Sequence, residues 1–232
     1  MAQTPATYAI ILAAGASARF GGNEPKQFLP LAGRPLVAHA IQAFEDAPSI
    51  REIVLVVPAA SRASATDNIL LEYQFEKVSR VVSGGATRAE STRNGLESVP
   101  AKAELIAVHD GARPTVSPSD IERVIQAAAR DGAAILAEPI NDTLKRVSDN
   151  CVVETVDRNG LYAAQTPQVF RAELIRRAHD LGRSSVTDDA QAVEALGVQV
   201  TVVEANYANI KVTRPEDFAL AESILISRKE RV

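Results

Sequence analysis

The first segment whose composition suggests chemistry is a run of small residues near the N-terminus. Residues 13–22 have the sequence AAGASARFGG and directly follow a short apolar run. Small side chains allow a phosphate group to approach backbone N–H groups, and Arg19 and Lys26 would place two cations beside it. The spacing is neither a Rossmann fingerprint, since Ser17 stands at its second glycine, nor a P-loop. We predict a phosphate or nucleotide site here, with a tight turn that binds nothing as the alternative.

Two further polar clusters follow later apolar runs. Residues 83–88 (SGGATR) offer backbone amides, and residues 109–114 (HDGARP) contain a carboxylate, Asp110. Because Mg²⁺ usually binds through one or two carboxylates plus substrate phosphates, Asp110 is a candidate magnesium ligand. A turn or helix-capping aspartate is the alternative. We interpret His109 as structural.

A last cluster, residues 209–213 (NIKVT), lies between the last predicted strand and the last predicted helix. Lys211 is flanked there by apolar side chains, so it is less easily explained as a solvated surface lysine than most lysines are. Ligands of open α/β sheets bind at the carboxyl ends of the strands. We therefore expect the clusters to lie near one another at that edge.

The elements that would position these clusters alternate between strands and helices. Short apolar runs predict buried strands at 8–13, 53–57, 78–82, 105–109 and 133–137. One helix is predicted from the spacing of Leu36, Ala40, Ile41 and Phe44, and others at 60–74, 86–97 and 119–130. This alternation predicts an α/β fold, with a single Rossmann-like, open and mostly parallel sheet that has helices on both faces.

The alternation is interrupted at residue 140. Residues 143–147 and 151–156, joined by the turn-prone 148–150, predict a protruding β-hairpin that no helix covers. Its apolar residues need a surface to pack on, and a second subunit would provide one. Further elements are predicted at 162–170 (strand), 171–181 and 187–196 (helices), 198–203 (strand) and from Pro215 onwards (helix).

The composition argues against several classes of partner. The 232 residues include 25 Lys and Arg against 29 Asp and Glu, a net charge of −4, so no broad basic field attracts nucleic acid or an anionic membrane. No apolar run reaches the roughly 18 to 20 residues of a membrane span, and no signal peptide pattern is present. The one cysteine, Cys151, cannot form a disulfide within the chain. We expect a cytoplasmic protein.

Taken together, the motifs resemble those of a known family. They are, in chain order, LAAGxxxR, PKQ, GGxxR, HDGARP, DT, TVDR, QTPQ, TDDA and NIKVT, and they span residues 12–213. This order resembles the 2-C-methyl-D-erythritol 4-phosphate cytidylyltransferases of the non-mevalonate isoprenoid pathway. The first motifs occur throughout the nucleotidyltransferases, whereas the later ones are far more specific in combination. The resemblance implies one domain, residues 1–232, with the fold of nucleotide-diphospho-sugar transferases, in a bacterial cytoplasm.

The resemblance also implies residues that bind CTP and promote its reaction. In-line attack of a phosphate oxygen of the sugar alcohol on the α-phosphorus would release pyrophosphate. Because that nucleophile is already an anion, no general base is needed. Arg19 and Lys26 match the pair that stabilises the transition state, and Asp110 would hold Mg²⁺. The residues that would contact CTP are Ala13, Ala14, Gly15, Gly85, Ala86, Ser91 and Asp110.

A second set of residues would bind methylerythritol phosphate. Arg158 and Lys211 match the pair that positions this substrate for attack, and Thr143 would lie beside its phosphate. Members of the family are homodimers in which an extended arm reaches the partner's active site. The hairpin at 140–158 would be that arm.

The chain departs from the family pattern at a few positions, and other functions stay open. Ser17 stands where members often have glycine, and Ala208 stands where some have an acidic residue. One alternative is a cytidylyltransferase for another polyol phosphate, such as ribitol 5-phosphate. The other is a nucleotide-binding protein without catalysis, because a fold does not by itself fix a function.

Overall fold

Seven strands form one central sheet. The computed structural model describes residues 5–15, 25–182, 186–205 and 207–229. Its strands are β1 (Thr7–Leu12), β2 (Pro30–Leu31), β3 (Arg34–Pro35), β4 (Ile50–Val57), β5 (Val78–Ser83), β6 (Leu105–Asp110), β7 (Ala133–Pro139), β8 (Leu144–Ser148), β9 (Cys151–Val156), β10 (Tyr162–Arg171) and β11 (Thr201–Glu204). Its helices are α1 (Leu36–Glu45), α2 (Arg62–Ala65), α3 (Arg88–Ser98), α4 (Pro118–Asp131), α5 (Ala172–Asp180), α6 (Asp189–Glu194) and α7 (Glu216–Lys229).

The strand order in the central sheet is β11-β7-β10-β6-β1-β4-β5. Strand β1 is parallel to β4 and β6, β4 is parallel to β5, and β7 is parallel to β11. Strand β10 is antiparallel to both of its neighbours, β6 and β7. The predicted open, mostly parallel α/β sheet is confirmed. The direction of β10 had no signal in the sequence, since a buried strand has the same apolar pattern in either direction.

Both faces of the sheet are buried, which explains the uninterrupted apolar run of β1. Tyr8 and Ile10 point to one face and Ala9 and Ile11 to the other, and all four are fully buried. Helices α1 and α4 pack on the face of Ala9 and Ile11, and helices α3, α5 and α6 pack on the face of Tyr8 and Ile10. Their larger buried apolar side chains in these clusters are Val37, Ile41, Phe44, Ile121, Val124 and Ile125 on the face of Ala9 and Ile11, and Leu96, Ile175 and Val193 on the face of Tyr8 and Ile10.

The protruding arm is confirmed as a two-stranded hairpin, separate from the main sheet. Strands β8 and β9 pair with each other, and Asp149 and Asn150 between them have φ of 48° and 61°, as in a two-residue type I′ turn. Val147, Val152 and Val153 are 55%, 62% and 62% exposed. Within one chain, the arm therefore leaves its apolar side chains largely uncovered.

Some boundaries differ from the sequence-based expectations. The predicted helix at 60–74 consists of α2 continued by a π-helical segment, Thr66–Leu71. Helix α6 is shorter than the predicted 187–196, and β11 starts three residues later than predicted. The small hairpin β2-β3 was not predicted, because its two-residue strands are too short to show an alternation. None of the described helices is long and apolar enough to span a bilayer.

Candidate functional site

A cavity of about 420 Å³ opens at the carboxyl edge of the sheet, beside the ends of β1 and β6. The chain proceeds from β1 through β4 to β5 on one side of β1 and then returns to place β6 on the other side. Such a switch in strand order leaves a crevice in which ligands of α/β proteins bind. The lining residues are Leu12, Ala14, Gly15, Lys26, Gln27, Gly85, Ala86, Thr87, Arg88, Ser91, Asp110, Ala112 and Lys211.

Among the residues that the structure describes, Asp110 is the one acidic residue of this lining, and it is the last residue of β6. Its Oδ2 lies 2.6 Å from Lys211 Nζ, and its Oδ1 lies 3.2 Å from Arg88 Nε. Burial alone would raise the pKa of Asp110, but Arg88 and Lys211 hold the pKa of this carboxyl well below its usual range. The cavity therefore contains a carboxylate that stays ionised next to two cations.

Lys211 reaches the cavity because its segment docks on the loop after β6. Val212 N donates to Ala112 O over 2.8 Å, and Arg113 Nη1 donates to Asn209 O over 2.7 Å. Lys26 Nζ in turn donates to Val212 O over 2.6 Å. Two lysines that are 185 positions apart in the sequence are thus brought to the same cavity.

The small residues of the first two motifs pack directly against each other. A Cβ atom on Gly84 would lie 2.3 Å from Ala14 Cβ and 2.9 Å from Ser91 Oγ. Ser91 Oγ also accepts a hydrogen bond from Gly85 N, and Gln27 Nε2 donates to Gly15 O over 2.9 Å. The loops after β1 and β5 therefore require small side chains in order to approach each other at the cavity.

We predict that Gly84→Ala weakens nucleotide binding. The new methyl group has no room, so the Ala14 loop or the start of α3 must shift, and overpacking of this kind costs about 1–3 kcal/mol of stability. We expect a lower melting temperature and an at least tenfold higher Kd for CTP, measured by calorimetry. Unchanged CTP affinity would contradict the close packing of these two loops.

His109 is buried and neutral beside the site. Its Nε2 donates to Arg113 O over 3.2 Å, which leaves Nδ1 to accept from the Thr166 hydroxyl at 3.1 Å. That hydroxyl oxygen also accepts from Asp110 N over 3.0 Å. Burial lowers the pKa of His109 to about 4, with Asp110 only partly opposing the shift. His109 thus links β6 to β10, as expected of a residue with a structural role.

The structure brings most, but not all, of the predicted site residues together. Ala14, Gly15, Lys26, Gly85, Ala86, Ser91, Asp110 and Lys211 line the one cavity. Ala13 is not among the lining residues; it is fully buried and donates its N–H to Val56 O. Thr143 and Arg158 are exposed near the base of the arm and do not belong to this lining. Arg19 and Ser17 lie outside the described residues.

Sequence reasoning missed the connection between Asp110 and a second carboxylate. Arg88 Nη1 lies 2.8 Å from Asp189 Oδ2, so Arg88 joins two acidic residues. Both positions belong to motifs noted above, GGxxR and TDDA, but neither was given a role. An arginine directly after a glycine-rich turn was the available signal, whereas its partner is 101 residues away in sequence.

The donor set is suited to magnesium held together with a substrate. Among the described residues, no group of three or more His, Cys, Asp and Glu side chains could hold a metal ion by itself. Asp110 supplies one ionised carboxylate at the cavity, and phosphates and water normally complete the coordination of Mg²⁺. Asp110 therefore fits Mg²⁺ that binds with a triphosphate, and not a resident metal cage.

Comparison with known sequences identifies relatives over nearly the whole chain. The family model for "IspD: 2-C-methyl-D-erythritol 4-phosphate cytidylyltransferase" matches residues 7–227. The 2-C-methyl-D-erythritol 4-phosphate cytidylyltransferase of Desulforamulus reducens is 45% identical over 95% of this chain and 96% of its own length. A bifunctional enzyme IspD/IspF of Desulfotalea psychrophila is 44% identical over 95% of this chain, which spans 57% of that longer protein.

A solved structure agrees with these sequence relatives. The 4-diphosphocytidyl-2C-methyl-D-erythritol synthase of Anaerococcus prevotii superimposes with a TM-score of 0.83 and 31% identity, over 97% of this chain and 100% of the other. The match therefore extends across almost the complete chain. The chain therefore belongs to the 2-C-methyl-D-erythritol 4-phosphate cytidylyltransferase family, and it is a nucleotidyltransferase that transfers a cytidylyl group from CTP to that sugar alcohol phosphate.

Proposed function

We propose that this transfer takes place in the cavity at the carboxyl edge, with CTP lying against the loops after β1 and β5. The observation that supports this most directly is the meeting of Lys26, Lys211 and Asp110 in one lining that otherwise consists largely of small residues and backbone. Small residues admit the triphosphate to backbone N–H groups, and the two lysines supply opposite charge. Ala14, Gly15, Gly85, Ala86 and Ser91 would be the contacts to CTP.

The proposed chemistry is stabilisation of charge and not proton transfer. A phosphate oxygen of the substrate attacks the α-phosphorus of CTP in line with the departing pyrophosphate, and this anionic nucleophile needs no base. The enzyme has to bring two polyanions together and offset the charge that develops on the equatorial and leaving oxygens. Lys26, together with Arg19, would do the latter, while Lys211 would hold the substrate phosphate. His109 takes no part, because it is buried and neutral.

Magnesium belongs to the proposal as the partner of Asp110. When bound, Mg²⁺ would neutralise part of the charge of the triphosphate. The chain's own contribution is a carboxylate at the end of a buried strand, kept ionised by Arg88 and Lys211. Since Lys211 pairs with the same carboxylate, Asp110 also holds this lysine at the cavity until substrate arrives.

The arm is proposed to complete the site of a second copy of the chain. Thr143 and Arg158 are exposed near the base of the arm and are absent from the lining of the cavity. Three valines of the arm are more than half exposed, as expected of a surface that another subunit covers. In a homodimer, the partner's arm would thus supply an arginine to the substrate.

A cytoplasmic location is part of the proposal, supported by the free, exposed thiol of Cys151.

The choice of sugar alcohol phosphate is tested by pyrophosphate release. We expect rapid release with CTP, Mg²⁺ and methylerythritol phosphate, and at least 100-fold lower kcat/KM with ribitol 5-phosphate, because a site built for one set of hydroxyls leaves buried polar groups unpaired with another. Removal of Mg²⁺ by a chelator should abolish the release. Equal rates with both alcohols would assign the chain a broader polyol phosphate specificity.

A further inference from the structure

Arg88 lies between the proposed active site and the start of α6. It is the first residue of that helix, and Thr87 caps the helix by accepting from Glu90 N over 3.1 Å. Its Nε lies 3.2 Å from Asp110 Oδ1, and its Nη1 lies 2.8 Å from Asp189 Oδ2. One guanidinium therefore joins a carboxylate of the cavity to a carboxylate outside the cavity lining.

The outer carboxylate is itself fixed. Asp189 is 1% exposed and is the first residue of α6. Its other oxygen, Oδ1, lies 2.9 Å from Nε2 of the buried His179 of α5. The neighbouring Asp188 caps α6 by accepting from Gln191 N, and it also accepts from Gln168 Nε2 of β10 over 2.8 Å. Asp189 consequently has little freedom to move relative to the sheet, and the same holds for the guanidinium that it anchors.

The pairing divides the two oxygens of Asp110 between two cations. Arg88 takes Oδ1 and Lys211 takes Oδ2. Lys211 has a flexible stem and is 43% exposed, whereas the planar guanidinium of Arg88 is held on both sides by carboxylates. Arg88 thus sets the orientation of the Asp110 carboxylate. Lys211 can move from this carboxylate to a substrate while Arg88 still holds the carboxylate in place.

We propose that Arg88 is a positioning residue for the transfer reaction, and that Asp189 and His179 anchor it so that Asp110 keeps one orientation in the cavity. This gives a common purpose to the arginine of GGxxR and to the TDDA motif, which the assignment of the substrate contacts leaves without a role. The inference rests on the proposed role of Asp110. It adds that the geometry of this carboxylate also depends on Asp189 and His179, which lie outside the lining of the cavity.

The proposal is tested with Arg88→Gln, Arg88→Lys and Asp189→Asn. Misplacement of a catalytic group by about 1 Å costs on the order of 100-fold in rate. We expect kcat to fall about 100-fold in Arg88→Gln and about tenfold in Arg88→Lys, which keeps one of the two ion pairs, with KM for CTP changed less than threefold. A crystal structure of Arg88→Gln should show the Asp110 carboxylate rotated away from its present position.

The coupling to Asp189 provides a second, independent measurement. Since Asp189 acts through Arg88, the double variant Arg88→Gln/Asp189→Asn should have the same kcat as Arg88→Gln alone. Arg93→Lys is the matched control: Arg93 lies on the same helix and donates to His179 O over 3.2 Å, but it does not contact Asp110. We expect its kcat to stay within twofold of the unmodified enzyme.

Several results would overturn the inference. These are an unchanged kcat in Arg88→Gln, a loss expressed in KM for CTP, multiplying losses in the double variant, or an Asp110 carboxylate that keeps its orientation. A melting temperature for each variant separates these results from unfolding. Asp110→Asn distinguishes the two proposals: if it stays active, the role of Asp110 fails, whereas an inactive Asp110→Asn with an active Arg88→Gln overturns only the role of Arg88.

Discussion

Replacing Lys26 with alanine is expected to lower kcat by about 10² to 10³-fold, the usual cost of removing one preorganised group that faces developing charge. The Lys26 ammonium lines the cavity and is held there by Val212 O at 2.6 Å. An ammonium fixed before the reaction needs no reorganisation when the α-phosphate becomes pentacoordinate. Because this charge develops only in the transition state, the Kd for CTP should rise far less than kcat falls. Steady-state kinetics and calorimetry with CTP measure the two quantities.

Two further variants separate charge from structure in this experiment. Lys77 is a matched control, because its Nζ also donates to a backbone carbonyl, Ala47 O at 2.8 Å, but lies outside the cavity lining. Lys77→Ala should therefore leave kcat within twofold. Lys26→Arg keeps the charge with a different geometry and should retain more activity than Lys26→Ala. Equal losses of kcat and CTP affinity in Lys26→Ala, or no loss in either, would remove Lys26 from the proposed transition-state role.

The fold was largely predictable because the spacing of apolar residues along each strand and helix is a local signal in the sequence. Strands β1 and β4 are apolar on both faces, and this pattern by itself indicates a sheet covered on both sides. The arm was predictable because its two strands follow each other without a helix between them that could cover their valines. The antiparallel direction of β10 depends on contacts with β6 and β7 that are distant in sequence, and no local pattern encodes such contacts.

The candidate site was predictable where a residue type is unusual among its sequence neighbours. A lysine between apolar residues and an aspartate at the end of a buried strand were both noted from the sequence, and the structure places Lys211 and Asp110 2.6 Å apart. The link from Asp110 through Arg88 to Asp189 could not be derived in this way. Arginines and aspartates are common on protein surfaces, and only the folded chain shows which of them are buried together.

Net charge is similarly uninformative about the site. The chain as a whole has a charge of −4, yet Lys26, Arg88 and Lys211 line the same cavity with Asp110 as their acidic neighbour. An anionic ligand interacts with this local excess of positive charge, because charges beyond about 10 Å are largely screened at physiological ionic strength. The composition therefore argues against a broad basic field but could not indicate an anion site.

Mixing two inactive variants of the enzyme should restore activity if the arm completes the partner's site. Lys26→Ala disables the cavity of its own chain, whereas Arg158→Ala would disable the site in the partner's cavity, with a raised KM for the sugar alcohol phosphate. In a heterodimer of the two, one site has both substitutions and the other has neither. Random exchange at equal amounts makes half of the dimers heterodimers, so about a quarter of all sites should be intact. We expect about a quarter of the unmodified activity at low concentrations of that substrate.

The same arithmetic provides a control in which no activity should return. Lys26 and Lys211 line one cavity of one chain, so a heterodimer of Lys26→Ala and Lys211→Ala has a defect in each of its two sites. Subunit exchange is verified in both mixtures by mass spectrometry with one isotope-labelled variant. If exchange is complete and the mixture of Lys26→Ala with Arg158→Ala stays as inactive as this control, Arg158 serves the cavity of its own chain. The exposed valines of the arm would then need a cover other than a neighbouring active site.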